Sequence, residues 1–184
     1  GLDVVVKPRR KRTLEQTARE DAKHTSWAEA YTLKGDYYTI VTNLGLDLAE
    51  QMSLAMEQMN RFYRQVFHVK ERGGDTARVT IRVYRSRAEF DEHEGSPDKN
   101  VAGFFSPGEL KVATYDPRDE GALLSDLWST LFHEASHQFT ALIAPGNLIP
   151  GWLNEGTASY FEGALLRSNG SVETNLLPEQ RLLA

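Results

Sequence analysis

The chain of 184 residues is long enough for one domain with a substantial core, and its hydrophobic content of 40% and charged content of 26% are typical of globular proteins. It contains no cysteine, which excludes disulfides, thiolate metal ligands and cysteine nucleophiles. Its net charge of −5 combines +4 over the first twelve residues with −9 over the remainder. Phosphate binding needs clustered positive charge, so an acidic body argues against a nucleic-acid partner, and we expect a solvated basic tail rather than a nucleic-acid arm. The sequence has no apolar stretch long enough for a membrane span.

The N-terminal part, residues 1–26, is predicted to be a flexible basic tail followed by a short helix at residues 14–23. The remainder, residues 27–184, is predicted to form a single domain. Its first elements are two strand-like runs, residues 27–33 and 37–42, which a Lys-Gly-Asp turn separates. This pattern predicts a hairpin.

A long amphipathic helix is predicted over residues 46–66, because apolar residues recur there at helical spacing. An Arg-Gly-Gly-Asp segment at residues 72–75 breaks the pattern, and the alternation in residues 77–84 predicts a half-buried strand. Residues 86–93 predict a short helix with a capping box that begins at Ser86.

Residues 102–106 and 110–115 predict a second hairpin around a Pro-Gly turn. Residues 121–142 have a broad apolar side and predict a buried helix. A loop bounded by two Pro-Gly pairs follows, and residues 153–166 predict the last helix. Strands come first and the site-bearing helices last, which favours the α+β class.

Residues 133–137, His-Glu-Ala-Ser-His, are the most informative part of the chain. Histidines four residues apart lie on one face of a helix, with Cβ atoms roughly 5–6 Å apart, so both imidazoles can bind one metal ion while Glu134 lies beside it. Glu155 follows after seventeen intervening residues, enough for a turn and the start of a second helix. Three protein ligands with a fourth position open to water are typical of a catalytic zinc site.

The alternative is a chance motif, in which His133 and His137 are satisfied core histidines and Glu155 is a surface carboxylate. The apolar surroundings favour a metal site, because ionisable side chains in a buried helix cost several kcal/mol unless they are paired or bind a metal. Imidazoles with one carboxylate favour Zn²⁺ over other ions.

Residues 133–137, together with Asn-Glu-Gly-Thr-Ala at residues 154–158, resemble the gluzincin metallopeptidases, the superfamily of thermolysin-like enzymes and related aminopeptidases. The flanking residues 131–139 and 150–156 are similar to uncharacterised bacterial peptidase-like domains of that superfamily. The resemblance implies a zincin-like fold, with a small mixed or antiparallel sheet and a long helix in the N-terminal lobe. An active-site helix and a following helix with the third ligand would complete it.

For the site, the resemblance implies Zn²⁺ bound by His133, His137 and Glu155, with Glu134 as the general base. The protein would then be a zinc-dependent peptidase that hydrolyses peptide bonds with a zinc-bound water activated by a glutamate. Peptides or proteins are the expected partners. A cell-envelope or extracellular location is the expectation that accompanies this family.

Metal-bound imidazoles usually donate their second N–H to an oxygen acceptor. Asn154 resembles the residue that supports a ligand histidine in this superfamily, and Ser159, one turn beyond Glu155, is a second candidate. Better-known relatives have a carboxylate at that turn, so Asp126 or Glu162 could substitute for it. A helix-surface or capping role remains the alternative for Asn154 and Ser159.

Other zinc peptidase types can be tested by spacing. The metzincin pattern requires glycine and histidine where this chain has Thr140 and Ile143, so that type is excluded. The Gly-x-Met-Glu-Asn signature of the aminopeptidase branch is missing, and Glu109 is the one nearby carboxylate that could hold a free amino terminus. These absences slightly favour an endopeptidase over an aminopeptidase.

In the superfamily, the strand before the metal helix is the sheet edge on which an extended substrate pairs. The resemblance therefore implies that Val112, Ala113 and Thr114 bind substrate by strand addition. The alternative is an interior strand with no ligand role.

No donor for the developing oxyanion can be assigned. Tyr160, the one tyrosine after Glu155, is predicted to face away from it, because it lies about 140° further around a helix. Twenty-nine residues follow Glu155, fewer than the usual closing lobe, so a truncated chain, a minimal peptidase and a degenerate relative all stay open. A metal-stabilised peptide-binding domain without catalysis is the alternative function.

Overall fold

The computed structural model describes five ranges of the chain, namely residues 12–70, 78–95, 101–144, 149–167 and 169–174. Within these ranges the helices are α1 (Leu14–Asp21), α2 (Leu46–Val66), α3 (Arg87–Glu94), α4 (Leu124–Ile143) and α5 (Gly151–Glu162). The strands are β1 (Tyr31–Lys34), β2 (Tyr38–Thr42), β3 (Val79–Tyr84), β4 (Gly103–Ser106), β5 (Lys111–Tyr115), β6 (Leu165–Leu166) and β7 (Val172–Glu173). The protein is thus of the α+β class, as predicted.

The first five strands form one mixed sheet in the order β1-β2-β3-β5-β4. The outer pairs, β1 with β2 and β4 with β5, are antiparallel, and the inner pairs, β2 with β3 and β3 with β5, are parallel. Parallel neighbours need a crossover, which α2 provides between β2 and β3. Strands β6 and β7 form a separate two-stranded ribbon after α5.

Helices α2 and α4 pack together over one face of the sheet and bury the main core there. The buried face of α2 includes Met52, Met56 and Met59, each fully inaccessible to solvent. Burial of such a side chain contributes about 1.5–3 kcal/mol. Helix α3 lies on the opposite face, where Phe90 packs with aromatic residues of β3 and β5. Helix α4, which carries the histidine motif, therefore packs against the same face of the sheet as α2.

Both predicted hairpins, the helix over residues 46–66 and the N-cap at Ser86 are confirmed. Ser86 accepts a hydrogen bond from the Glu89 N–H, but the Glu89 carboxylate bonds the N–H of Arg85 instead of closing the capping box. Part of the basic tail, residues 1–11, the segment at residues 72–75 and the first Pro-Gly pair of the last loop lie outside the described residues.

Three predicted boundaries were wrong. Residues 27–29 form a 3₁₀ turn rather than the start of a strand. Trp27 packs on Tyr84 at the face of the sheet that α3 covers. The metal-motif helix begins at Leu124 because Gly121, with φ of 85°, ends a preceding 3₁₀ turn. The last helix ends at Glu162, and residues 165–166 pair with β7 instead of continuing it.

The prediction that Val112, Ala113 and Thr114 form the sheet edge was wrong. Strand β5 pairs with β3 on one side and with β4 on the other, so it is interior. All five residues of β5 are buried, as expected for a strand covered on both faces. The edge on this side is β4. The sequence could not predict this, because the two strands of a hairpin can join a sheet in either order and the alternation of residues does not distinguish the two orders.

Among the described residues, no helix is both long and apolar enough to cross a bilayer.

Candidate metal centre

The two histidines of α4 bring their Nε2 atoms together on one side of the helix. The Nε2 atoms of His133 and His137 are 3.1 Å apart, and the rings meet nearly at right angles, at 84°. Both rings are only partly exposed. Two ring nitrogens held this close, with no group of another kind between them, suit a shared cation, because each neutral imidazole can direct one lone pair at it.

Glu155 of α5 completes the group. Pro150 positions the start of this helix, since its carbonyl accepts from the N–H groups of Leu153 and Asn154. Glu155 then places Oε2 at 3.5 Å from His133 Nε2 and Oε1 at 3.5 Å from His137 Nε2. The structure therefore brings all three predicted ligands together, with their ligand atoms within 4.8 Å of one another.

The spacing of these three side chains fits a zinc ion. Ligand atoms at 2.0–2.1 Å from a tetrahedral zinc lie roughly 3.3 Å apart. The two histidine nitrogens are 3.1 Å apart and each lies 3.5 Å from a different oxygen of Glu155, while one atom from each of the three residues lies within 4.8 Å of the others, so a small closure of the group would meet this spacing. Two imidazoles and one carboxylate match the donor set of catalytic zinc sites. The side chain of Glu155 is 65% exposed, which leaves the group accessible from solvent.

A buried carboxylate supports the first histidine. Glu162, at the end of α5, has Oε2 at 2.9 Å from Nδ1 of His133, and its side chain is 8% exposed. Because a carboxylate only accepts, this contact holds the His133 proton on Nδ1 and leaves the Nε2 lone pair facing Glu155 and His137. Glu162 is one of the two substitutes expected from the sequence for this supporting carboxylate.

The other predicted supporting residues have different places. Asp126 caps α4, where its Oδ2 accepts from the Leu123 N–H at 2.8 Å. Ser159 lies half-buried on α5 between Glu155 and Glu162, and its support of a histidine remains a prediction. Asn154 faces α4, where it contacts Thr140 and His137.

Asn154 is a neutral side chain close to the second histidine. Burial lowers the pKa of the His137 imidazole, and a hydrogen bond with Asn154 opposes this effect. The Nδ1 atom of His137 is nevertheless buried without a hydrogen bond of normal geometry. The Asn154 amide instead lies 2.7 Å from the hydroxyl of Thr140, measured to Oδ1.

Glu134 lies beside the three-residue group and lines the same cleft. Burial, with a smaller contribution from the nearby Glu155, raises the pKa of Glu134 to about 7, against the opposing effects of His133 and of a hydrogen bond from the Phe105 main chain. Phe105 belongs to the edge strand β4, so this carboxylate lies next to the sheet edge. The sequence did not reveal this contact, because it depends on which strand lies at the edge.

The cleft has a volume of about 660 Å³ and runs between β4 and the second half of α4. Its apolar lining includes Phe105 and Pro107 on the strand side and Ala141 and Ile149 on the helix side. Among the described residues that line it, the ionisable ones are the four of the site, listed in chain order as His133, Glu134, His137 and Glu155. The predicted substrate residues 112–114 are not part of this lining.

The groups considered for oxyanion stabilisation or for holding an amino terminus lie elsewhere. Tyr160 accepts a hydrogen bond from the hydroxyl of Thr174 at 2.6 Å. Glu109 forms an ion pair with Lys111 at 2.6 Å. None of these side chains lines the described cleft.

No protein-family model matches the sequence, and no curated protein is significantly similar to it. The resemblance to gluzincins therefore rests on the two short segments that form this site, residues 133–137 and 154–158.

Proposed function

We propose that the protein is a zinc-dependent peptidase with a zincin-like fold. His133, His137 and Glu155 would hold the ion, and Glu134 would act as the general base. The observation that carries this proposal is the convergence of three ligand side chains from two helices in an open cleft, with a fourth ionisable side chain, Glu134, beside them.

A zinc ion at this place supplies Lewis-acid chemistry, since it acidifies a water molecule and polarises a carbonyl group. The protein supplies the proton transfers. Glu134 accepts a proton from the attacking water and then delivers it to the nitrogen of the leaving amine. The Phe105 N–H fixes this carboxylate from one side, and the apolar lining of the cleft limits access of further water.

The proposed substrate is an extended peptide that adds to the edge strand β4. Gly103, Phe104 and Phe105 line the cleft, and β4 has a pairing partner on one side only, β5. An edge strand offers its free main-chain groups to an added strand, and neighbouring pockets select side chains. The substrate-binding role that the resemblance implies for residues 112–114 of β5 is therefore proposed for β4.

Endopeptidase action is favoured over aminopeptidase action. An aminopeptidase needs an acidic group that holds the charged amino terminus of its substrate. Glu109, the candidate from the sequence, lies on the turn between β4 and β5 and forms an ion pair with Lys111. In the described lining of the cleft, the carboxylates are Glu134 and Glu155, which already have roles at the metal site.

The variant Glu134→Gln tests the enzyme proposal. It keeps the shape of the side chain but removes its basicity, so zinc content should stay near one equivalent while peptide hydrolysis falls by at least about 100-fold. Glu92→Gln, an exposed glutamate of α3, is the matched control and should retain full activity. Unchanged hydrolysis by Glu134→Gln would exclude the proposed mechanism.

The second candidate function is a metal-stabilised domain that binds peptides without cutting them. It is favoured by one observation, the lack of a tyrosine, arginine or further histidine in the described lining of the cleft that could stabilise an oxyanion. Peptide binding to the zinc-loaded protein with no turnover over many hours would select this alternative.

A further inference from the structure

Two buried tyrosines outside the candidate site donate hydrogen bonds to α4, the helix of the histidine motif. The hydroxyl of Tyr63, on α2, donates to the main-chain carbonyl of Phe132 at 2.8 Å. The hydroxyl of Tyr38, on β2, donates to Oε1 of Gln138 at 3.0 Å. The two acceptors directly precede and directly follow the motif at residues 133–137. Each end of the motif therefore has one directional contact with the elements packed behind it.

The contact with Gln138 ends a chain of buried hydrogen bonds whose direction is determined by chemistry. A guanidinium only donates, so Nε of Arg64 donates to Oδ1 of Asn60, at 2.8 Å. The other end of this amide, Nδ2, donates to the Tyr38 hydroxyl at 3.1 Å. The hydroxyl then gives its own proton to Gln138 Oε1. The orientation of both amides and of the hydroxyl therefore follows from the guanidinium.

Aromatic rings hold the start of this chain in place. The central carbon of the Arg64 guanidinium lies 4.6 Å from the ring centre of Tyr37 and 5.8 Å from that of Phe139. A guanidinium within about 6 Å of a ring centre is attracted to the face of the ring. The chain thus links α2 to β2 and β2 to α4 with a fixed donor at its beginning.

A helix that carries two metal ligands needs directional contacts of this kind. Helix α4 contributes mainly apolar side chains to the core, among them Leu131, Ala135 and Phe139. Apolar burial is not directional, whereas functional groups must be held within about 0.5 Å of their working positions. Side-chain atoms lie roughly 5–6 Å from a helix axis, so a rotation of about 10° would move a ligand atom by about 1 Å.

The places of the two contacts suit this task. At about 100° per residue, Phe132 lies one step before His133 around the helix, and Gln138 lies one step beyond His137. The contacts therefore fall on either side of the face that carries the histidines. Two contacts on different sides of a helix oppose its rotation, and leave the face between them free for the candidate site.

We propose that Tyr63 and Tyr38 are positioning residues, whose hydroxyls fix the rotation of α4 and thereby direct His133 and His137 towards Glu155. This inference rests on the proposed function and deepens it, because it names groups that set the geometry of the proposed zinc site. Neither tyrosine lines the described cleft, so each acts through the helix rather than on a substrate.

The test removes one hydroxyl at a time with Tyr63→Phe and Tyr38→Phe, which both keep the ring. The matched control is Tyr84→Phe, because Tyr84 is also fully buried but its hydroxyl donates to Glu94 on the opposite face of the sheet. Residual dipolar couplings of the zinc-free protein give the orientation of α4 relative to the sheet. Competition with a chromophoric chelator gives the affinity for zinc.

Both Tyr63→Phe and Tyr38→Phe should change the couplings of α4 while those of β3 and β5 stay as in the parent. Each should bind zinc about 10-fold more weakly, the lower end of the range for loss of groups that orient ligand histidines. Tyr84→Phe should lower the Tm but keep the α4 couplings, with an affinity for zinc within about twofold of the parent. A merely structural role of the two hydroxyls would give the result of this control.

The variant Gln138→Met tests the route by which Tyr38 acts, since it removes the acceptor and keeps the length of the side chain. It should weaken zinc binding as Tyr38→Phe does. In the double variant the two losses should not add, because both changes remove the same hydrogen bond. Additive losses would show that Tyr38 does not act through Gln138.

Unchanged α4 couplings, or an affinity for zinc within about twofold of the parent, in either folded tyrosine variant would overturn the inference. If Tyr63→Phe does not fold, Tyr38→Phe provides the same comparison. Failure of the parent to bind zinc would refute the proposed function instead. The couplings of the zinc-free protein would then still decide whether the two tyrosines orient α4.

Discussion

The carboxylate of Glu162 lies 2.9 Å from Nδ1 of His133, at the side of the ring opposite to Nε2. The contact joins the end of α5 to the middle of α4, two helices that pack against each other. It determines which nitrogen of His133 carries a lone pair towards Glu155. Helix α5 thus carries both Glu155, the proposed third ligand, and Glu162, the partner of His133.

Replacement of Glu162 should weaken zinc binding while the protein remains folded. Glu162→Gln keeps the shape and a neutral acceptor, and we expect the affinity for zinc to fall by about 10-fold, towards about 100-fold for Glu162→Ala. Competition with a chromophoric chelator measures both values, with Glu173→Gln, an exposed glutamate of β7, as the control. Affinities within about twofold of the parent in both variants would show that Glu162 does not act on the metal site.

Removal of zinc should lower the thermal stability of the protein. An ion that binds only the folded state stabilises it by about 2.7 kcal/mol at a free concentration 100 times its Kd, which corresponds to a Tm shift of roughly 5–10 °C for a domain of this size. Calorimetry with and without a chelator measures this shift. His137→Ala should lose it completely, whereas His68→Asn, which replaces an exposed histidine with φ of 52° by a residue that tolerates this conformation, should keep it. Equal melting of the parent with and without zinc would speak against a metal site.

Strand addition on β4 predicts an alternating sensitivity of the substrate to main-chain methylation. Successive N–H groups of an extended peptide point to opposite sides, so only every second one can bond the sheet edge. An N-methyl scan of a cleaved peptide should lower kcat/KM by about 10-fold or more at alternate positions, the effect of one lost hydrogen bond plus a clash. Uniform sensitivity along the peptide would contradict pairing with the edge strand.

The packing of α2 against the sheet should dominate the stability of the domain. Met56→Ala removes a fully buried side chain of this helix and should lower the free energy of unfolding by about 2–5 kcal/mol. Leu54→Ala, two residues earlier on the exposed side of the same helix, should change it by only about 0.5 kcal/mol. Urea unfolding followed by circular dichroism measures both. Similar losses in the two variants would mean that the burial of α2 is not as described.

The sequence alone determined the main helices, both hairpins and the three side chains that meet as the candidate metal group. Helical periodicity placed α2 and α4, and alternation between turn signals placed both hairpins, because these patterns depend on neighbours within a few residues. The spacing of His133 and His137 put both rings on one face of α4 for the same reason. The return of Glu155 to that face required only a turn between two helices.

The tertiary structure decided which strand lies at the sheet edge and which residues support the histidines. Residues 102–106 and 110–115 form a hairpin whichever of them joins β3, and the tertiary structure pairs β5 with β3 and leaves β4 outermost. Likewise Glu162, seven residues after Glu155, reaches His133 because α5 packs along α4 at a particular angle and distance. Such contacts arise between side chains distant in sequence, so local periodicity does not encode them.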